Sequence, residues 1–81
     1  MDRQSLLPLV EKAVRHYRGR ADHTAVAKYI WDHHEGELKH SGAFFYKWQY
    51  EARWAADELK RQGVLEPTEI SGRGVLQLRH K

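Results

Sequence analysis

The stretch Ser41-Gly42-Ala43-Phe44-Phe45-Tyr46-Lys47-Trp48-Gln49-Tyr50-Glu51-Ala52-Arg53-Trp54-Ala55-Ala56-Asp57-Glu58-Leu59-Lys60-Arg61-Gln62-Gly63, continued by Val64 to Arg79, decides how this chain is read. At helical spacing, Phe45, Trp48, Ala52, Ala55, Ala56 and Leu59 gather within an arc of roughly 100°, the width of a stripe that faces a core. The pattern predicts one long helix from Phe44 to Gln62. Its three small alanines leave room for another helix to approach closely. Gly63 suits the left-handed position just past a helix end, with Leu59 and Val64 supplying the hydrophobic contact of a Schellman ending. Beyond it, Val64-Leu65 and Val75 to Leu78 are apolar runs separated by Gly72 and Gly74, which predicts a hairpin with a loose tip. Leu76 and Leu78 share one strand face; Val75, Gln77 and Arg79 share the other. Pro67 fits an edge or a strand end.

Two shorter helices precede this one. Ser5 is a good N-cap for a first helix running to about Arg18, and Pro8 then sits in the first turn, where a missing N–H costs nothing. Leu6, Val10, Ala13, Val14 and Tyr17 form its apolar side, while Lys12, Arg15 and Arg18 face away. Gly19-Arg20 ends it. Asp22 caps a second helix to about His33 or His34, with Val26, Ala27, Tyr29 and Ile30 as its apolar face and Gly36 as its stop. Arg20-Ala21-Asp22 is the place for a short bridging strand. His34 to Gly42 reads as a polar loop with two glycines, long enough to hide a further helical turn. The resulting order is helix, short strand, helix, long helix, strand, wing, strand. That is an α+β winged helix, a three-helix bundle with a C-terminal β-hairpin wing, in one domain over residues 1–81.

Composition sets the outer bounds. A chain of 81 residues has room for a single small core. Its apolar share of 41%, with three Trp, four Tyr and two Phe, suits a folded domain rather than a disordered tail. The formal net charge of +3 favours anionic partners only mildly. Cysteine is absent, which excludes disulfides, thiolate metal sites and a thiol nucleophile. No apolar run reaches the ~18–20 residues of a membrane span, and the N-terminus lacks a signal-peptide core, so a cytoplasmic protein without membrane contact is expected. Internal repeats and low-complexity segments are absent.

The candidate binding face lies on the long helix, opposite its apolar arc. Tyr46, Lys47, Tyr50, Arg53, Trp54, Asp57 and Arg61 point that way, so aromatic rings alternate with cations. Cations meet phosphates or guanine edges and tyrosine hydroxyls donate to the nucleic-acid backbone, so the pattern points to double-stranded DNA. The N-terminal half of such a helix enters the major groove, which singles out Lys47, Gln49, Tyr50 and Arg53. Arg73, between Gly72 and Gly74, is placed to reach the minor groove or a phosphate. The competing explanation is structural: another element covers part of this face, with Trp54 the first residue to be claimed, and Arg73 is simply a solvated hairpin arginine.

Six histidines raise a metal hypothesis, with His33, His34 and His40 near Asp32 and Glu35. Their spacing matches no structural zinc pattern, and His33 falls toward the apolar side of its helix, where a hydrogen-bonded histidine is the usual explanation. Neither a metal nor a cofactor is expected. Enzymatic activity is not expected either, for the chain has no glycine-rich phosphate loop and no activated nucleophile.

The string Arg53-Trp54-Ala55-Ala56-Asp57-Glu58-Leu59-Lys60-Arg61-Gln62-Gly63-Val64-Leu65, followed by Gly74-Val75-Leu76-Gln77-Leu78, resembles the N-terminal winged-helix domain of Mrr-type restriction enzymes. Leu6-Leu7-Pro8-Leu9-Val10 resembles their first helix. The resemblance covers about half the chain and rests on packing residues. It implies the fold, a structural role for Trp54 and DNA binding. Cleavage does not transfer, since in that family it belongs to a separate nuclease domain with no counterpart expected in this chain. His34 to Tyr46 has no counterpart in the family pattern. The expectation is therefore a small DNA-binding module, regulatory or accessory to a larger complex. The alternative is a protein-interaction or homodimerisation module that uses the aromatic face of the same helix.

Overall fold

The computed structural model describes residues 1–79. Its elements are α1 (Leu6–His16), β1 (Arg20–Asp22), α2 (His23–Lys39), a 3-10 turn (Gly42–Tyr46), α3 (Trp48–Arg61), the single turn α4 (Thr68–Ser71) and β2 (Val75–Gln77). This is a small α+β fold in which helices pack on a short antiparallel sheet. No helix among the described residues is long and apolar enough to cross a membrane.

α1 and α3 form the main helix pair. Leu6, Leu9, Val10, Ala13 and Val14 of α1 meet Ala52, Ala55, Ala56 and Leu59 of α3 in one core, with Val26 and Ile30 of α2. The alanines permit the close approach. The first helix departs from expectation at both ends. Ser5 has helical backbone angles and makes no side-chain cap. The Asp2 carboxylate, placed three residues earlier, accepts from both the Ser5 N–H and its hydroxyl instead. The helix stops at His16, and Tyr17, expected on the apolar side, lies exposed at its end. The chain then takes a Schellman ending in which Arg18 occupies the left-handed position at φ 64°, and the Gly19 N–H reaches the Val14 carbonyl at 2.9 Å. Gly19 is also left-handed, which turns the chain into β1.

α2 begins at Asp22, as its sequence predicts. The Asp22 carboxylate accepts from the Ala25 N–H at 2.7 Å. Gly36 does not stop it. The break comes at His34 (φ −134°, ψ 22°), and a further turn continues to Lys39. Burial of Leu38, which no polar loop could have achieved, accounts for that turn. The Ser41 hydroxyl closes it by donating to the Leu38 carbonyl.

The long helix also begins later than its pattern suggested. Lys47 (φ −133°, ψ 3°) separates the 3-10 turn from α3. Phe44 is buried in the core, while Phe45, expected on the core-facing arc, is half-buried and packs 6.2 Å from Trp31, ring centroid to ring centroid. From Trp48 onward the predicted phase holds: Trp48, Ala52, Ala55, Ala56 and Leu59 are all buried. So does the ending. Gly63 has φ 82°, the Val64 N–H donates to the Leu59 carbonyl at 3.0 Å, and the Gly63 N–H donates to Lys60 at 3.1 Å.

β1 and β2 pair antiparallel, matching Arg20 with Gln77, Ala21 with Leu76 and Asp22 with Val75. On the other edge of β2, Leu65 forms one antiparallel bridge with Leu78, flanked by hydrogen bonds from Glu66 N–H to the Gln77 carbonyl and from Arg79 N–H to the Val64 carbonyl. The connection between them is not a loose loop. Pro67 starts the α4 turn, and Ser71 is buried with its hydroxyl donating to the Val75 carbonyl. Lys60 ties this segment to α3 by donating to the Thr68 hydroxyl.

Candidate nucleic-acid interface

A groove of about 1050 Å³ opens between α2 and α3. Thr24, Ala27, Lys28 and Trp31 line it from α2, and Gln49, Tyr50, Ala52 and Arg53 line it from α3. Phe45, Trp48, His23, Val26 and Leu76 complete the lining. The spacing on each helix explains the arrangement. Thr24, Lys28 and Trp31 stand at i, i+4 and i+7, and Gln49, Tyr50 and Arg53 fall within one turn of α3, so each helix offers one stripe.

The electrostatics of this groove are one-sided. The chain has 11 Asp and Glu, yet no carboxylate lines the groove, whereas His23, Lys28 and Arg53 do. Among the described residues, no carboxylate lies within ion-pair distance of Lys47, Arg53 or Arg73. Lys28 differs, holding Asp32 at 2.7 Å on its solvent side. Burial, and then the nearby Arg53 and Lys60 cations, push the His23 imidazole below its ordinary pKa against the weaker pull of Asp57 and Asp22.

Of the residues singled out by sequence, Gln49, Tyr50 and Arg53 share this groove. Lys47 is exposed at the break just before α3 and does not line it. Arg73 is exposed at the tip after α4. The neighbouring Gly74 carbonyl accepts from the His23 N–H at 3.3 Å, which fastens that tip to the groove lining. Tyr46 and Tyr50 are largely in water, 86% and 72% exposed. Trp54 is half-buried against the core, with the Arg3 guanidinium 4.5 Å from its ring centroid. The same Arg3 donates to buried Glu51 at 2.6 Å, and this bond holds the Glu51 carboxyl below its usual range. Arg61 pairs with Glu58.

The contribution of α2 went unread from sequence. Its signal was present in Thr24, Lys28 and Trp31, which repeat at helical spacing beside the buried Val26 and Ile30. The histidines engage their own helix: Nδ1 of His33 and His40 lie 2.9 and 2.8 Å from the carbonyls of Tyr29 and Gly36, and His34 meets Glu37. His33 is exposed rather than set into the apolar side.

No protein-family model, curated protein or solved structure matches this chain.

Proposed function

We propose that this chain is a winged-helix module that binds duplex DNA through the N-terminal half of α3 and the tip around Arg73, in a regulatory or accessory role. One observation carries the reading: the uncovered side of α3 meets a groove rimmed by cations from which every carboxylate is excluded. Phosphate contacts supply most nucleic-acid affinity, and Arg53 offers one with no carboxylate in ion-pair distance, while Lys28 offers another in exchange for the exposed Asp32. The winged-helix reading draws support from the order of elements and from Leu65 and Ala21 flanking the last strand as pairing partners. The resemblance to the Mrr-type N-terminal domain points the same way. In this arrangement Gln49 faces base edges, Lys47, Arg53 and Arg73 face phosphates, and Tyr50 donates its hydroxyl to the backbone.

NMR titration with a short duplex at low salt tests the proposal. Resonances of residues 47–53 and 72–74 are expected to shift, with affinity falling along a log–log salt slope of about −3 to −5. If no duplex moves them, DNA binding is excluded.

A second reading is favoured by the exposure of Tyr46 and Tyr50, since aromatic residues concentrate at protein interfaces. There the same face binds a protein or a second copy of the chain. It predicts a concentration-dependent hydrodynamic size that Tyr50→Ala abolishes, and near-indifference to salt.

A further inference from the structure

The groove has an aromatic floor as well as a basic rim. Trp31 and Phe45 line it, 6.2 Å apart between ring centroids with planes inclined at 49°, and Tyr50 stands beside them. Trp48, buried and part of the same lining, lies 6.3 Å from Trp31 and 13° from parallel, and the Lys39 ammonium stands 5.9 Å from the Trp31 ring centroid. A regular duplex leaves such a floor unused, because its bases are stacked inside and present only their edges to the grooves. An unpaired base presents a π face of its own. Proteins hold such bases on aromatic side chains while nearby cations take the adjoining phosphates.

We propose that the groove between α2 and α3 receives one unpaired nucleobase, stacked on Phe45 with the tilted Trp31 ring at its edge. Lys28 and Arg53 take the phosphates on either side, Lys28 exchanging Asp32 for one of them. Thr24 and Gln49, on opposite walls, face the hydrogen-bonding edge of the base. The absence of any carboxylate from the lining suits an anionic polymer, and the aromatic floor distinguishes a polymer with exposed bases from one without. This inference rests on the nucleic-acid reading above and adds a preference for a locally unpaired site.

Three short duplexes of one sequence test it: fully paired, carrying a single bulged adenine, and carrying an abasic spacer at the bulge. With fluorescence anisotropy at low salt, the adenine bulge is expected to bind about tenfold more tightly than the paired duplex, the size of one base–aromatic stack. The abasic bulge should return to the paired value. Phe45→Leu, which keeps apolar volume but removes the ring, should abolish the advantage of the adenine bulge over the paired duplex. Should that variant fail to fold, the adenine and abasic bulges compared on the unaltered protein decide the matter. Equal affinity for all three duplexes overturns the base pocket and leaves duplex binding standing. An abasic bulge as tight as the adenine bulge overturns it too, assigning the gain to DNA bending. Failure to bind any of them removes both readings.

Discussion

On one flank of α3, Glu51 meets Arg3, Trp54 lies beneath the same guanidinium and Glu58 pairs with Arg61; on the other, Gln49, Tyr50 and Arg53 face a groove without a carboxylate. Both flanks carry aromatic rings and charged residues. What separates them is the packing around them. The N-terminal segment Met1–Ser5 brings Arg3 across the first flank and satisfies its carboxylate. Across the second, α2 contributes Thr24, Lys28 and Trp31, none of which neutralises Arg53. A cation whose partner is a largely buried carboxylate has less to offer a ligand than one, like Lys28, whose partner is exposed. Under the proposed function, stability belongs to one side of α3 and binding to the other.

Trp48→Ala should produce the largest effect, because Trp48 supports both sides. It anchors α3 in the core and lies beside Trp31 in the groove lining. Removal of a buried large aromatic costs roughly 3–5 kcal/mol, close to the whole stability of a domain this small. Denaturant titration should show little or no folded population; a variant as stable as the parent would place the ring elsewhere.

The flanks separate next under a pair of substitutions. Arg53→Ala should weaken duplex binding about tenfold at low salt and reduce the magnitude of the salt slope by about one unit, with thermal stability unchanged. Arg61→Ala, which removes a cation already paired with Glu58, should change binding much less. Equal losses from the two would show that the whole helix acts as a diffuse cationic surface, and the comparison would collapse.

Gly63→Ala tests whether the ending of α3 positions the tip beyond it. At φ 82° an alanine is strained, and its Cβ would come within 3.3 Å of the movable Arg79 side chain. A cost of about 1 kcal/mol is expected in chemical denaturation. Unchanged or increased stability would mean that the ending tolerates a side chain.

Arg3→Ala should have the smallest effect, and on stability alone. Glu51 has its carboxyl depressed below 4.5 by the Arg3 hydrogen bond, so this stabilisation is present above that value and is lost as pH falls through the depressed one. The variant should show a flatter dependence of Tm on pH in the acid range, with duplex affinity unaltered. A large loss of DNA affinity would move Arg3 to the binding side.

Much of this molecule could be read from its local chemistry. The Asp22 cap, the α3 phase from Trp48 to Leu59 and the Gly63 ending depend on residues within a few positions of one another, and each agrees with the structure. The misreadings occur where a distant partner overrides local preference. Gly36 lies inside a helix because the core claims Leu38, and Lys47 interrupts one between the buried Phe44 and the buried Trp48. Ser71 condenses a segment whose glycines suggested a loose tip. Arg18 takes a left-handed position at the end of α1 ahead of the equally left-handed Gly19, whose N–H reaches Val14.

The candidate interface divides the same way. Lys47, Gln49, Tyr50 and Arg53 were legible because residues on the polar side of an amphipathic helix announce themselves by period alone. Helical period says which residues share a side, but not what faces that side across space. Only tertiary packing decided that Arg3 would cover Trp54 and Glu51, that α2 would supply the second wall of the groove, and that acidic side chains would all fall outside it. The physical reason is range. Capping and periodicity act over a single helical turn, whereas pairing a charge or closing a groove joins residues nearly fifty positions apart, as Arg3 and Glu51 are.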